Sequence, residues 1–187
     1  MTPTEWQKNL PMRITMSRIF MVPVIVAAMW PNNLFWNLSA AILFMIASGT
    51  DYFDGYYARK YNAVSNFGKF MDPIADKILV TSVLAMLLSQ GKIDVWMVVI
   101  ILARDNFIGG IRSVAAADQI IIDAKPAGKW KTAMQMIAIP IVIIGNNLPE
   151  LPYFDKVGYA VLWVSVVLSI TSGIDYYLGY LKNRKSA

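Results

Sequence analysis

Four aspartates, Asp51, Asp54, Asp72 and Asp76, fall within the 26-residue run DYFDGYYARKYNAVSNFGKFMDPIAD, inside a chain that is otherwise mostly lipid-soluble. Carboxylates are costly within a membrane, so four together require a cation or a chemical task. The spacing is helical. Asp51 and Asp54 are three residues apart and Asp72 and Asp76 four apart, so each pair shares one helix face with its side chains on adjacent turns. Two helices then present four carboxylates to one point. Left alone, such anions repel and some protonate, whereas hard divalent cations such as Mg²⁺ or Mn²⁺ keep them ionised in an all-oxygen shell. Gly55 and Ala58 sit beside the first pair and Gly68 precedes the second; small residues let helix backbones, or a phosphate ligand, approach closely. Arg59 adds a planar donor set for phosphate.

The elements that must position these residues are membrane helices. Of 187 residues 57% are hydrophobic and 16% charged, with a mean hydropathy of +0.48, more apolar than a soluble domain of this size tolerates. Six apolar stretches, each near the ~20 residues needed to cross a bilayer, run from Ile14 to Trp30, Leu34 to Tyr57, Phe67 to Leu88, Ile93 to Ala115, Ala127 to Ile144 and Val157 to Leu181. Short breakers separate them at Pro31-Asn32-Asn33, Ser89-Gln90-Gly91 and Asn146-Asn147-Leu148-Pro149. The expected fold is all-α: a polytopic bundle of six transmembrane helices, preceded by a short amphipathic N-terminal segment, with 1–187 as a single membrane domain. The polar start MTPTEWQKNLPMRIT carries no cleavable signal pattern. With no Cys and no His, disulfides, thiolate chemistry, imidazole bases and HExxH zinc sites are excluded. Acid–base work falls to carboxylates, lysines or tyrosines.

Basic residues fix the orientation. Lys8, Arg13 and Arg18 lie at the N-terminus, Arg59, Lys60 and Lys69 in the second connection, Arg112, Lys125, Lys129 and Lys131 around the fourth, and Lys182, Arg184 and Lys185 at the C-terminus. The intervening connections have at most Lys92 against Asp94, and Lys156 against Glu150 and Asp155. The positive-inside rule places both termini and the aspartate cluster at the cytoplasmic face of a multi-pass protein of the cell's inner membrane. The net charge of +5 suits anionic lipid and phosphate substrates, although topology alone accounts for most of it. The tryptophans mostly read as interfacial anchors and the eleven methionines as packing.

The string Asp51-x-x-Asp54-Gly55-x-x-Ala58-Arg59, eight residues to Gly68, then x-x-x-Asp72-x-x-x-Asp76 resembles the signature of the CDP-alcohol phosphotransferases without a departure in spacing. That resemblance implies a phosphatidyl transferase of phospholipid biosynthesis, in which a CDP-linked lipid gives its phosphatidyl group to an alcohol and CMP leaves. It implies two metal ions, Mg²⁺ or Mn²⁺, on Asp51, Asp54, Asp72 and Asp76, with Asp76 also taking the proton of the attacking hydroxyl. It places Gly55, Ala58, Arg59, Ser65 and Gly68 around CDP-diacylglycerol, and it implies a homodimer in lipid with no nucleic-acid partner.

Two further segments, ARDNFIGGIR at 103–112 and GKWKTAMQM at 128–136, resemble the glycerophosphate-accepting branch, with its Ala-Arg-Glu and Gly-Lys-x-Lys-Thr-x-x-Gln patterns. On that branch the acceptor is sn-glycerol 3-phosphate, and Arg112, Lys129 and Lys131, with Arg104 deeper on the fourth helix, form a clamp for its dianion. The alternative for each lysine is anchoring by snorkelling; Arg104, inside an apolar stretch, is expected to pair with a carboxylate such as Asp105 or the cluster. The segment LPMRITMSR at 10–18 resembles the family's opening and keeps Thr15 and Arg18, expected at the lipid headgroup; Arg18 also suits the positive-inside signal. Met12 stands for the usual Asn and Asp105 for the usual Glu, which touches the acceptor assignment rather than the reaction. The same chemistry with phosphatidylglycerol, serine or an inositol phosphate is the first alternative, and the basic constellation argues against an uncharged acceptor. A divalent-cation transporter is the second. Transport sites usually sit at the midplane between repeats, whereas this cluster lies at one face and no repeat is present.

Overall fold

The structure is a computed structural model. It describes the backbone of residues 5–60, 66–118, 126–148, 151 and 153–184, and the side chains of 15–50, 71, 73–118, 128–145, 147–148, 151 and 153–184. Among the described residues there are six α-helices and no strand: α1 Glu5–Met29, α2 Leu34–Lys60, α3 Asn66–Ser89, α4 Val95–Ala117, α5 Pro126–Ile144 and α6 Phe154–Arg184, with a 3₁₀ turn at Gly145–Asn147 before α6. Five of the six apolar stretches match these helices to within three residues at either end, whereas α1 begins nine residues before the expected Ile14. The short N-terminal segment expected before the first span is helical from Glu5 and continuous with that span in α1.

The turns end the helices for local reasons. Asn33 Oδ1 accepts from the Trp36 amide at 3.1 Å and so caps α2, while Asn32 takes a left-handed φ of 48° that asparagine tolerates. Gly91 at φ 67° reverses the chain between α3 and α4. That turn also ties its neighbours together, since Gln90 Nε2 donates to Met29 O at 2.6 Å and Lys92 Nζ to Ile143 O at 2.9 Å. Carbonyls at the ends of α1 and α5 are thereby satisfied.

The helices pack chiefly as α1 against α2 and α3, α2 against α5, α5 against α6 and α4 against α6, with lighter contact of α3 on α2, α4 and α5. Ile25, Phe44, Leu84, Met97, Ile139 and Leu162 are fully buried in one continuous core. Polarity is partly inverted. Thr15, Arg18, Asn37, Lys131, Gln135, Ser165, Ser169 and Ser172 are buried, while Phe20, Ile42, Met45, Val167 and Ile174 are exposed. Trp30, Trp36 and Trp96 are exposed at one set of helix ends and Trp130 at the start of α5. Of the described helices α6 is long and apolar enough to cross a membrane, and shorter apolar stretches span Thr15–Met29 and Leu34–Thr50.

Candidate active site

Helical backbone carries all four aspartates, Asp51 and Asp54 on α2 and Asp72 and Asp76 on α3, so the three- and four-residue spacings fall within single helices. The two helices touch. The side chains of Asp51, Asp54, Gly55, Ala58, Arg59, Gly68 and Asp72 lie outside the described residues, and so does all of Ser65. Asp76 is described: it is half-buried and faces a cavity of about 50 Å³ between α3, α4 and α5. Lys77, Asp105, Asn106, Lys131 and Gln135 supply the other main polar groups of the wall.

The electrostatics of this cavity are set by one ion-pair network. Lys131 Nζ donates to both carboxylate oxygens of Asp105, at 2.5 and 2.7 Å, and its side chain is only 6% exposed. Arg104 Nη1 reaches the same carboxylate at 3.1 Å. The rest of the Arg104 guanidinium is held by α6, with Nε donating to Ser169 O at 3.1 Å and Nη2 to Ser172 Oγ at 2.8 Å. Gly173 makes room for it, since a Cβ there would meet Arg104 Cγ at 3.2 Å. One carboxylate thus joins α4, α5 and α6 while balancing cations that would be costly to bury alone.

The four acceptor-phosphate residues expected from sequence therefore separate. Arg104 and Lys131 belong to the Asp105 network, and Arg104 does pair with a carboxylate. Lys131 spends two of its three N–H donors on Asp105, which leaves one for the cavity. Arg112 is exposed, its guanidinium 5.8 Å from the centre of the Tyr176 ring on α6, and Lys129 is exposed at the start of α5. Thr15 and Arg18 are both buried on α1, each 1% exposed. The sequence reading gave no site role to Lys77, Asn106 or Gln135. Gln135 had entered that reading as the closing Gln of the Gly-Lys-x-Lys-Thr-x-x-Gln pattern, four residues after Lys131 on one helical face, but with no role attached; for Lys77, adjacency to Asp76 said nothing about which way α3 would turn it.

The sequence profile described as CDP-alcohol phosphatidyltransferase matches residues 8–171. A protein of Rickettsia felis is 42% identical over 170 residues, covering 91% of this chain and 94% of its own length. One of Bacillus subtilis is 41% identical over 184 residues, covering 90% and 93%. Both are named CDP-diacylglycerol–glycerol-3-phosphate 3-phosphatidyltransferase. A protein of Arabidopsis thaliana, named as the second such enzyme, is 33% identical over 195 residues, covering 94% of this chain and 82% of its own.

Proposed function

The chain belongs to the CDP-alcohol phosphatidyltransferase family, and we propose that it transfers the phosphatidyl group of CDP-diacylglycerol to sn-glycerol 3-phosphate, releasing CMP and phosphatidylglycerophosphate. The observation that carries this reading is the near full-length identity to proteins of that name. The cavity adds physical support, because it sets the Asp76 carboxylate among the cationic groups Lys77 and Lys131, as an anionic alcohol acceptor requires. In the reaction the acceptor hydroxyl oxygen bonds to the phosphatidyl phosphorus, the bond from that phosphorus to the bridging oxygen breaks, and CMP departs. Asp76 takes the hydroxyl proton.

Mg²⁺ or Mn²⁺, as two ions on Asp51, Asp54, Asp72 and Asp76, fits this donor set. The chain has no His or Cys, and two touching helices each carry a carboxylate pair in register, the oxygen-only chemistry that hard cations prefer. Such ions would neutralise charge on the diphosphate and on the departing phosphate oxygen. On the protein side, Gly55, Ala58, Gly68, Arg59 and Ser65 surround the cytidine diphosphate, and Thr15 and Arg18 approach the lipid headgroup. Arg112, Lys129 and the remaining donor of Lys131 hold the acceptor phosphate, with Arg104 fixing the network behind them.

The same reading makes the chain a six-span protein of the inner membrane with both termini and the site in the cytoplasm, and a homodimer. Exposed apolar flanks around a partly polar interior support the membrane, as do exposed tryptophans at helix ends. Release of CMP from CDP-diacylglycerol by the purified protein tests the function. Glycerol 3-phosphate should drive it, and phosphatidylglycerol, serine and inositol phosphate should not; release with any of those instead overturns the acceptor.

A further inference from the structure

We infer that Lys77 on α3 and Gln135 on α5, which both line the cavity beside Asp76, are the donors that hold the anionic acceptor there, and that Gly109 is the notch on α4 that accommodates the Lys77 ammonium. This rests on the reading above. Three observations point the same way. Gln135 is 3% exposed, it lines the cavity, and its Nε2 is buried with no hydrogen-bond partner among the described residues. An amide donor left so is costly, and an oxygen acceptor entering the cavity removes the cost.

Lys77 is the second. Its side chain lines the same cavity and crosses to α4, where Nζ stands 2.7 Å from where a Gly109 Cβ would be. No real Cβ tolerates that approach, so the ammonium occupies space that only glycine leaves open. The third observation concerns the neighbouring cation. Lys131 is already neutralised by both oxygens of Asp105, whereas no described carboxylate pairs with Lys77. An ammonium-bearing side chain and a buried amide donor lining one small polar space match a phosphate oxygen. At about 50 Å³ the cavity holds a few waters or the oxygens of one phosphate, and excludes an acyl chain.

The phosphate could come from glycerol 3-phosphate or from the CDP-diacylglycerol diphosphate, and we assign it to the former because every described residue lining the cavity belongs to α3, α4 or α5, whereas the cytidine diphosphate contacts proposed above lie mainly on α2. The test measures transfer by the full-length protein in detergent–lipid micelles, varying each substrate separately. Lys77→Met and Gln135→Met should each raise the KM for glycerol 3-phosphate about tenfold or more, with the KM for CDP-diacylglycerol unchanged. Gly109→Ala should act in the same direction and more weakly, since alanine is the better helix former and only the flexible end of Lys77 must move. Lys77→Arg should recover part of the loss.

If wild-type protein transfers nothing to glycerol 3-phosphate, the functional reading fails. If wild type is active but the variants keep its acceptor KM, or raise the KM for CDP-diacylglycerol equally, the assignment of Lys77 and Gln135 is wrong. Should Lys77→Met not fold, Gly109→Ala and Gln135→Met decide the matter alone.

Discussion

Lys131 on α5 donates to both carboxylate oxygens of Asp105 on α4, at 2.5 and 2.7 Å, and this pair ties together the α4 and α5 walls of the cavity that Asp76 also lines. Asp105→Asn should therefore leave a buried ammonium without its counter-charge, a loss of about 3–5 kcal/mol for breaking one side of such a pair. Thermal unfolding in detergent measures it. Asp105→Asn/Lys131→Met should recover much of the stability, and Asp105→Glu should retain the pair. Equal melting of Asp105→Asn and wild type would mean that the two charges are solvated rather than buried.

Metal dependence follows from the donor set. Chelation with EDTA should abolish turnover, and Mg²⁺ or Mn²⁺ should restore it, because clustered carboxylates ionise together only around hard cations. Asp51→Asn and Asp72→Asn should be inactive yet still insert in membranes and elute as folded protein. Full turnover after exhaustive chelation sinks the proposed metal pair.

Asp76 is predicted to differ from the other three. As the proton acceptor it should lose most of kcat on replacement by Asn, while CDP-diacylglycerol still binds, since the diphosphate depends on metal more than on the base. Equilibrium binding of the nucleotide lipid separates the two roles. Parallel loss of binding would make Asp76 chiefly a ligand.

All six helices were legible in the sequence because each carries a long apolar run, three of them closed by Pro, Asn or Gly breakers and the others by charged connections, and the aspartate spacings were legible because period 3.6 is local information. The Asp105–Lys131 pair was not. It joins residues 26 apart across two helices, and sequence shows neither helix rotation nor which cation a carboxylate will choose. For the same reason Lys131 read as a phosphate ligand although much of its donor capacity is spent inside the protein. Lys77 was hidden more deeply, since its place depends on the missing side chain of Gly109, a residue that sequence presents only as one of a glycine pair.

Lys92 gives a pH dependence on stability. It lies in the turn between α3 and α4, and burial lowers its pKa from 10.5 to about 8. Between those values the unfolded chain binds more protons than the folded one, so stability should rise as pH increases from about 8 to 10.5. Below about 8 the cost of holding the ammonium half-buried is present in full. Because tyrosines and other lysines titrate in the same range, the informative quantity is the difference between wild type and Lys92→Met. That difference should shrink as pH rises through the window; a constant offset would mean that Lys92 keeps an ordinary pKa.

Arg112 and Lys129 are the exposed half of the proposed phosphate clamp, and exposure gives them a second possible role as cytoplasmic anchors. The two roles predict different measurements. If they hold glycerol 3-phosphate, Arg112→Ala and Lys129→Ala each remove a charge-assisted contact of about 1.5–3 kcal/mol, at least tenfold in KM for that substrate. The KM for CDP-diacylglycerol should stay near wild type. Anchoring alone predicts normal kinetics for both substrates and poorer membrane insertion. Arg112 allows a finer test, because its guanidinium lies 5.8 Å from the centre of the Tyr176 ring. If that ring steadies the charge for the acceptor, Tyr176→Leu should raise the glycerol 3-phosphate KM in the same direction as Arg112→Ala but less, and should add nothing in the double variant. Additive effects would show that Tyr176 acts on the site by a route other than Arg112.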